Sequence, residues 1–374
     1  MKILYVTTIG STMNFFKQFI AELVEAGHTV DVACNENATK VPDFYRELGC
    51  RVHSISTSRS PLNRGNLAAV KALRKLVAEN CYDIVHCHTP VAAMCARLAC
   101  RGARKRGTKV FYTAHGFHFY RGAPLKNWLL FYPIEKICSR WTDVLITINR
   151  EDYALAQRKM KAKKVVYVPG VGVDLTKFGN AMVDKAAKRR ELGVPEDATL
   201  LLSVGELNAN KNHETIIRAL AKLENNENVY YAIAGRGGLQ DYLQNLAASL
   251  GLGDRVKLLG FRTDVAELYA TADAFVFPSF REGLPVSVME AMATGLPCAV
   301  SRIRGAVDLI DENCGTLFAP HSVDECRNAI AALLRGGENA QKFGERSVEK
   351  AQSFALEPVV EQMTTLYRNE AGLS

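Results

Sequence analysis

Residues 280–300 read "FREGLPVSVMEAMATGLPCAV" and join a Gly-Leu-Pro turn, a small-residue helical stretch, a second Gly-Leu-Pro turn and an apolar strand. A helix that begins after such a turn has unpaired backbone N–H groups and the positive end of its dipole at one place, which favours an anion. Two carboxylates, Glu282 and Glu290, nevertheless flank the turn. The stretch therefore predicts a turn–helix–strand unit and raises the question of what the glutamates bind.

Short apolar strands alternate with amphipathic helical stretches along the whole chain. Strand candidates in the first half are "KILYVTT", "HTVDVAC", "RVHSIS", "DIVHCH", "KVFYTAH", "DVLITI" and "KVVYVP". Those in the second half are "TLLLSVG", "VYYAIAG", "RVKLLG", "DAFVFPS", "LPCAVS" and "GTLFAP". Strand–helix–strand repetition at this spacing predicts parallel sheets that are covered by helices on both faces.

The Gly-rich segment "PGVGVDLTKFGN", residues 169–180, lacks a helical period and is typical of a linker. We therefore expect two doubly wound, Rossmann-like α/β domains with C-terminal helices: residues 1–175, residues 181–353, and a helix at 354–374 that returns to the first domain. Helices of the second domain are expected at 211–224, 237–250, 263–271 and 285–293. Open α/β sheets bind ligands at the carboxyl ends of their strands, so two such domains predict a cleft there.

Length and composition limit the class of protein. The 374 residues are 48% hydrophobic and 23% charged, which is typical of a soluble globular chain with two domains. No segment reaches the roughly 18 uninterrupted apolar residues of a membrane span. The start, "MKILYVTTIG", reads as a buried strand and not as a signal peptide. Ten cysteines without a C-x-x-C pair predict reduced thiols in a cytosolic protein.

One short pattern, His86-Cys87-His88, invites a metal-binding interpretation. Alternate residues of a strand share a face, so the two histidines can point the same way, but no third ligand is evident. We favour residues that line a cleft over a metal site.

Positive charge is concentrated in the first half of the chain. Residues 1–180 contain 27 Lys and Arg against 13 Asp and Glu, a net charge of +14, so the total of +8 leaves −6 for residues 181–374. The segment "RLACRGARKRGTK", residues 97–109, holds six of these cations. A basic surface of this kind binds nucleic acid, an anionic membrane surface or a phosphorylated substrate, and a solvated helix end is the alternative.

Several nucleotide-binding motifs are missing from the sequence. The segment "AGRGGLQ", residues 234–240, places Gln240 where a dinucleotide fingerprint needs its third glycine, and no P-loop pattern occurs. No Asp-x-Asp occurs among the fifteen aspartates, which removes the usual carboxylate pair for a metal-chelated nucleotide sugar. Any diphosphate must then be neutralised without a metal. In "SVGELNANKNHETIIRAL", residues 203–220, Lys211 is expected where a helix begins and can pair with phosphate there.

The order of these motifs resembles the retaining nucleotide-sugar glycosyltransferases of the GT-B fold, glycosyltransferase family four of the polysaccharide-biosynthesis type. The resemblance covers nearly the whole chain and includes the His-Gly turn in "TAHGFHFY", residues 113–120. It implies transfer of a hexose or N-acetylhexosamine from a UDP-sugar to a lipid-linked or polysaccharide glycan. It also implies a cytoplasmic enzyme, at most peripheral on an anionic membrane surface, with no metal, no other cofactor and no nucleic acid partner.

The resemblance also implies roles for particular residues. Glu282 would accept from hydroxyls of the sugar and Glu290 from the ribose diol, because a carboxylate can accept from two adjacent hydroxyls. The diphosphate is left to Lys211 and to the turn that Pro285 fixes at the first helical position. The catalytic set is His115, Lys211 and Glu282, and further donor-site residues are Gly10, Gly205, Arg236, Phe261, Arg262, Gly283, Leu284, Pro285, Val286 and Glu290.

One residue departs from the family pattern. Glu206 stands where members commonly have an Arg that is a second cation for the diphosphate. Either Lys211 and the backbone amides suffice, with Arg236 or Arg281 nearby, or the donor site is arranged differently. Two alternatives stay open: a nucleotide-sugar 2-epimerase, which shares the two-domain fold and needs no acceptor, and a non-catalytic nucleotide-sugar sensor, which Glu206 motivates.

Overall fold

The structure is a computed structural model that describes residues 1–58, 60–224, 227–335 and 338–372, with only the backbone of residues 338–340. The chain divides into two compact units. The first unit contains Met1–Val171 and the C-terminal segment from Val359 onward. The second unit contains Gly172–Pro358, so the division falls inside the Gly-rich segment 169–180.

The first unit is built on a parallel sheet of seven strands in the order β3-β2-β1-β4-β5-β6-β7. The strands are β1 Lys2–Ile9, β2 Thr29–Asn35, β3 Arg51–Ser54, β4 Ile84–His88, β5 Lys109–Ala114, β6 Val144–Thr147 and β7 Lys164–Tyr167. The helices are α1 Lys17–Glu25, α2 Phe44–Glu47, α3 Asn66–Asn80, α4 Pro90–Ala99, α5 Arg101–Arg104, α6 Leu125–Cys138 and α7 Arg150–Lys159. Turns of 3₁₀ helix occupy Gly10–Phe16 and Ser139–Trp141.

The second unit is built on a parallel sheet of six strands in the order β10-β9-β8-β11-β12-β13. The strands are β8 Thr199–Val204, β9 Val229–Ala234, β10 Val256–Gly260, β11 Ala274–Phe277, β12 Cys298–Ser301 and β13 Gly315–Phe318. The helices are α8 Leu175–Gly179, α9 Lys185–Leu192, α10 His213–Ala221, α11 Gln240–Ser249, α12 Val265–Thr271, α13 Val286–Ala293, α14 Ala306–Leu309, α15 Val323–Leu334 and α16 Glu338–Ala351. A 3₁₀ turn, Gln352–Phe354, leads to the last helix, α17 Leu356–Ala371. The predicted pair of doubly wound parallel sheets is confirmed.

The central strands of both sheets are buried on both faces. Six of the eight residues of β1 and all five of β4 are buried, which fits parallel strands. In the first unit the side chain of Arg97 in α4 is also buried, and its Nη1 lies 2.8 Å from Oε2 of Glu135 in α6. Removing one partner of such a pair leaves an uncompensated buried charge, so this contact fixes α6 on α4.

The strand order reverses at one point in each sheet. In the first unit the chain leaves β1 toward one edge and returns at β4, and in the second unit it leaves β8 and returns at β11. Loops at the carboxyl ends of these strand pairs diverge and leave room for a ligand. The second unit therefore presents the loops after Val204 and after Phe277 at its switch point.

Two general features concern cysteines and membranes. All ten cysteines are free thiols, and nine of them are buried. Within the described ranges, the helices are too short or too polar to cross a bilayer.

Candidate functional site

An ion pair joins the two loops at the switch point of the second unit. Nζ of Lys211, in the loop after β8, lies 2.8 Å from Oε1 of Glu282, in the loop after β11. Both side chains are about one-fifth exposed, and the ammonium is 5.3 Å from the ring centroid of Phe277. The structure therefore brings together a cation and a carboxylate that the sequence placed 71 positions apart.

The loop that carries Lys211 is held by its asparagines. The Lys211 N–H donates to Oδ1 of Asn208 at 3.0 Å, and Asn210 Nδ2 donates to the Arg281 carbonyl oxygen at 3.0 Å. Helix α10 begins at His213, because Asn212 adopts a left-handed conformation with φ 54°. The prediction that a helix begins at Lys211 is therefore wrong by two residues, and Lys211 lies in the loop.

Glycines allow two close backbone crossings beneath this site. A Cβ at Gly235 would lie 1.8 Å from the Gly205 carbonyl oxygen, and one at Gly305 would lie 1.9 Å from the Gly283 carbonyl oxygen. A Cβ at Gly205 would lie 3.2 Å from Cε of Lys211. The Gly-rich loop after β9 thus packs against the loop of Lys211.

The turn before α13 leaves several donors unused. In the described part of the chain, the N–H groups of Gly283, Leu284, Val286 and Ser287 form no hydrogen bond. Pro285 has extended backbone angles, φ −76° and ψ 111°, and caps the helix, whose first residue is Val286. The expectation that Pro285 occupies the first helical position is therefore wrong by one residue. The free backbone N–H groups of this turn nevertheless lie at the N-terminus of α13, where an anion can bind.

Glu290 lies on α13 in a more enclosed position than Glu282. Its Oε2 is 2.9 Å from the hydroxyl of Tyr269, which is also 2.9 Å from the Ser287 carbonyl oxygen. Burial raises the pKa of Glu290 to about 7, and the Tyr269 hydrogen bond and the charge of Lys177 limit the rise. The carboxyl group is therefore poised between its neutral and ionised forms near neutral pH.

The remaining second-unit candidates lie in the loops after β9 and β10. The Arg236 guanidinium lies 5.6 Å from the ring centroid of Phe261, whose side chain is 65% exposed. Arg262 instead pairs with Asp264, with Nε 2.7 Å from Oδ1, and its Nη2 lies 2.6 Å from Glu191 Oε1. Arg236 and Phe261 therefore form one exposed surface, whereas the Arg262 charge is shared with two carboxylates.

Glu206, the departure from the family pattern, has a local structural role. Its Oε2 accepts a hydrogen bond from Nδ2 of Asn208 at 2.7 Å. Because Asn208 Oδ1 in turn accepts from the Lys211 N–H, Glu206 helps to order the loop that presents the lysine. The sequence pattern indicates only the charge of Glu206 and not this hydrogen bond.

Arg304 is a residue at this site that the sequence reasoning missed. It follows β12, is only 8% exposed, and its Nε donates to the Glu282 carbonyl oxygen at 3.3 Å. The next residue, Gly305, makes the close crossing at Gly283. The segment "SRIRG" after a buried strand was the available signal, because it lies at the same sheet edge as Lys211 and Glu282.

The first unit has a separate cluster of histidines at its own switch point. Nε2 of His115 is 3.0 Å from Nδ1 of His88, and Nε2 of His86 is 2.8 Å from Oγ1 of Thr113. Burial lowers the pKa of His115 to about 4 and that of His86 to about 3. These imidazoles are therefore neutral at physiological pH and act there as hydrogen-bonding groups.

Aromatic rings enclose this histidine cluster. Tyr5 stacks on His88 with the ring centroids 5.2 Å apart, and Phe16 lies 4.4 Å from the same ring. The Tyr367 hydroxyl hydrogen-bonds both Nδ1 of His86 and, at 3.0 Å, the Tyr5 hydroxyl. Nε2 of His88 is buried and, among the described residues, has no hydrogen-bond partner.

Gly10 begins the 3₁₀ turn beside this cluster. A Cβ there would lie 2.4 Å from the Thr39 carbonyl oxygen, so the close approach at Gly10 is made by the chain's own backbone. The expectation that Gly10 lets a ligand approach stays a prediction. Over the described ranges no group of three or more His, Cys, Asp or Glu side chains is arranged to hold a metal ion.

Two doubly wound units, with a cation, a carboxylate and free amides at one switch point, define a GT-B type of enzyme. Comparison with known families agrees: residues 14–170 match the glycosyl transferase 4-like domain, and residues 184–350 match glycosyl transferases group 1. The Bacillus subtilis protein EpsD, named as a glycosyltransferase, is 38% identical over 98% of this chain and 96% of its own length. The chain therefore belongs to the GT-B glycosyltransferases of family four.

Two further proteins are similar to this chain. An Escherichia coli UDP-Gal:α-D-GlcNAc-diphosphoundecaprenol α-1,3-galactosyltransferase is 32% identical over 72% of this chain and 70% of its own length. HepE from Anabaena, solved in complex with UDP-glucose, has a TM-score of 0.81 at 21% identity and covers 99% of this chain and 100% of its own. At this identity the structural likeness supports the fold.

The crossing of Gly235 over Gly205 yields a stability prediction with a matched control. Gly235→Ala should lower the free energy of unfolding by about 1–3 kcal/mol, because its Cβ must displace backbone. Gly238→Ala, in the same loop, has no atom within 4 Å of the new Cβ and should stay near wild type. Thermal unfolding of both variants checks this, and equal stability of the two would show that the crossing is not a constraint.

The raised pKa of Glu290 yields a prediction for UDP affinity against pH. The ionised carboxylate can accept hydrogen bonds from hydroxyls at both of its oxygens, whereas the protonated group carries a hydrogen on one of them. UDP binding should therefore tighten as the pH rises through the Glu290 pKa of about 7. Between pH 6 and 8 the ionised fraction, and hence the Glu290-dependent affinity, should rise about tenfold. Titration calorimetry of wild type and Glu290→Gln separates this from the ionisation of UDP itself. Parallel pH profiles for the two proteins would contradict the assignment.

Proposed function

We propose that the enzyme transfers a hexose or N-acetylhexosamine from a UDP-sugar to a lipid-linked or polysaccharide glycan, with retention at the anomeric carbon. The observation that carries the proposal is the Lys211–Glu282 pair beside the free amides of the turn before α13. A diphosphate needs the cation and the N–H donors, and a sugar needs the carboxylate.

The similar proteins support the choice of donor and acceptor classes. HepE was solved with UDP-glucose, and the E. coli relative is named for a UDP-galactose donor and a diphosphoundecaprenol-linked acceptor. In keeping with that lipid-linked acceptor, we place the reaction in cell-surface polysaccharide biosynthesis. We therefore infer a cytoplasmic enzyme that works on a membrane-carried acceptor.

Within the donor site, we infer an exchange of partners for Lys211. The diphosphate carries more negative charge than one carboxylate, so it draws the ammonium from Glu282, and Glu282 is then free to accept from sugar hydroxyls. Glu290, beside Tyr269, takes the ribose hydroxyls in its ionised form. Phe261 and Arg236 offer the exposed surface for the base.

In the proposed transfer, the bond between the anomeric carbon and the β-phosphate oxygen breaks while the acceptor hydroxyl attacks from the same face. The hydroxyl proton passes to the departing phosphate oxygen, which gains negative charge. Lys211 and the amides of Gly283, Leu284 and Val286 stabilise that charge, and such a contribution grows toward the transition state. Arg304 holds the same turn through its hydrogen bond to the Glu282 carbonyl oxygen.

The first unit has the residue that the family resemblance assigns to the sugar. His115 is held by His88 at 3.0 Å in its neutral form, so a hydrogen-bonding role suits it better than one as an acid. Its role near the sugar stays a prediction. The same holds for the alternatives, a 2-epimerase and a sensor, which would use the donor site without an acceptor.

The proposed reaction predicts acceptor-dependent release of UDP in excess EDTA. The donor is first chosen from a panel of UDP-sugars by thermal shift, since a bound donor raises the unfolding temperature by mass action. UDP release is then measured with and without a diphosphoundecaprenol-linked acceptor. Because no Asp-x-Asp occurs and Lys211 is available, EDTA should leave the rate unchanged.

Each alternative gives a different outcome in that experiment. Loss of activity in EDTA with recovery in Mg²⁺ or Mn²⁺ would overturn the metal-free role of Lys211. Release of UDP without acceptor, together with a sugar inverted at C2, would identify an epimerase. Donor binding without any turnover would identify a sensor.

A further inference from the structure

Helix α6 carries a row of exposed apolar side chains along its length. Leu125, Leu129, Pro133 and Ile137 recur every fourth residue and are exposed, and we call them the α6 stripe. The exposed fractions of the two leucines and the isoleucine are 72%, 70% and 48%. Residues four apart lie on one side of a helix, so the stripe is continuous.

The opposite face of α6 is firmly attached to the first unit. Trp128, Phe131 and Tyr132 pack against the core, and Glu135 is buried against Arg97. Its other carboxylate oxygen accepts from the Tyr112 hydroxyl at 3.2 Å. The helix is therefore held in place, and the exposure of its stripe is not the result of a loose segment.

Helix α3 of the same unit shows what an ordinary solvated face looks like in this chain. Its exposed positions include Lys71, Arg74 and Lys75. A surface helix normally places charged residues there, whereas a continuous apolar stripe marks an interaction surface. The α6 stripe therefore needs an occupant.

Charge around the stripe identifies the chemistry of that occupant. The segment from residue 121 to 141 contains the cations Arg121, Lys126, Lys136 and Arg140 and a single acid, Glu135, which is buried. An apolar stripe edged by Lys and Arg is the pattern of a helix that lies in an anionic membrane surface. A second copy of this chain would bring the same cations face to face and repel.

We propose that α6 lies on the surface of an anionic bilayer, with the α6 stripe in the boundary between headgroups and acyl chains. The flanking cations then contact lipid phosphates. This inference deepens the proposed function and rests on it only for the membrane-carried acceptor. Because α6 follows the loop after β5, its first turn lies at the carboxyl edge of the sheet, and docking would hold that edge close to the bilayer.

The basic segment 97–109 is a weaker candidate for the same contact. Arg97 is buried, and Arg104 binds both oxygens of Asp143, each at 2.8 Å. Arg101 lies over the ring of Trp141, 4.5 Å from its centroid. Part of this cluster therefore stabilises the fold, and the membrane contact is assigned to α6.

The test compares two triple variants on lipid vesicles without nucleotide sugar or acceptor. One is Leu125→Gln, Leu129→Gln and Ile137→Gln. The matched control is Leu62→Gln, Leu67→Gln and Met182→Gln, whose side chains are 72%, 73% and 95% exposed elsewhere on the surface. Thermal shift with UDP, whose proposed site lies in the second unit, checks that both variants keep their fold and that site.

We expect wild type and control to float with phosphatidylglycerol vesicles at low salt and to bind phosphatidylcholine vesicles less. The α6 variant should lose roughly tenfold or more of its partitioning, because each leucine buries apolar area in the interface. Equal binding of the α6 variant and the control would overturn the proposal. So would a dimer of wild type in light scattering that the α6 variant dissociates. If the wild-type protein shows no thermal shift with UDP, that result would instead count against the proposed function.

Discussion

The ion pair between Lys211 and Glu282 is the interaction on which the second unit's site depends. It joins the loops after the two strands where the sheet reverses, and it keeps both side chains about one-fifth exposed. A cation held by one carboxylate is available to a ligand with more negative charge. The same pair therefore joins the two loops and presents the groups that we propose for a nucleotide diphosphate sugar.

The backbone beneath the pair is equally constrained. Gly205 leaves the space that the Lys211 side chain fills, and Gly235 and Gly305 allow crossings closer than any side chain would permit. Arg304 then holds the turn by its hydrogen bond to the Glu282 carbonyl oxygen. These glycines thus act in packing the loops, and the backbone N–H groups before α13 are the donors that we propose for the diphosphate.

The secondary structure and the sheet edge of the site residues could be predicted from the sequence, because both depend on the local pattern of apolar and polar residues. Alternating strands and helices indicated both sheets, and the positions of Lys211, Glu282 and Glu290 after or within these elements indicated one edge of the second sheet. The sequence could not indicate contacts between distant segments. The Tyr269 partner of Glu290 and the Arg304 contact with Glu282 depend on how α12 and the loop after β12 pack.

The first residues of helices α10 and α13 could also not be predicted from the sequence pattern. The left-handed conformation of Asn212 delays α10 to His213, and the extended backbone of Pro285 delays α13 to Val286. The Asn212 side chain donates to the carbonyl oxygens of Pro278 and Pro320, contacts that a local sequence pattern does not reveal. A partner of His86 likewise comes from the C-terminal helix, whose Tyr367 hydroxyl hydrogen-bonds the imidazole from 281 positions away.

The affinities of UDP and uridine for wild type, Lys211→Met and Glu282→Gln test the central claim most directly. If the diphosphate takes Lys211 from Glu282, Lys211→Met should weaken UDP binding by about tenfold or more. Glu282→Gln should tighten it, because the ammonium no longer has a competing partner. Uridine, which has no phosphate, should bind all three proteins equally. Unchanged UDP affinity in both variants, or equal changes for uridine, would contradict the account.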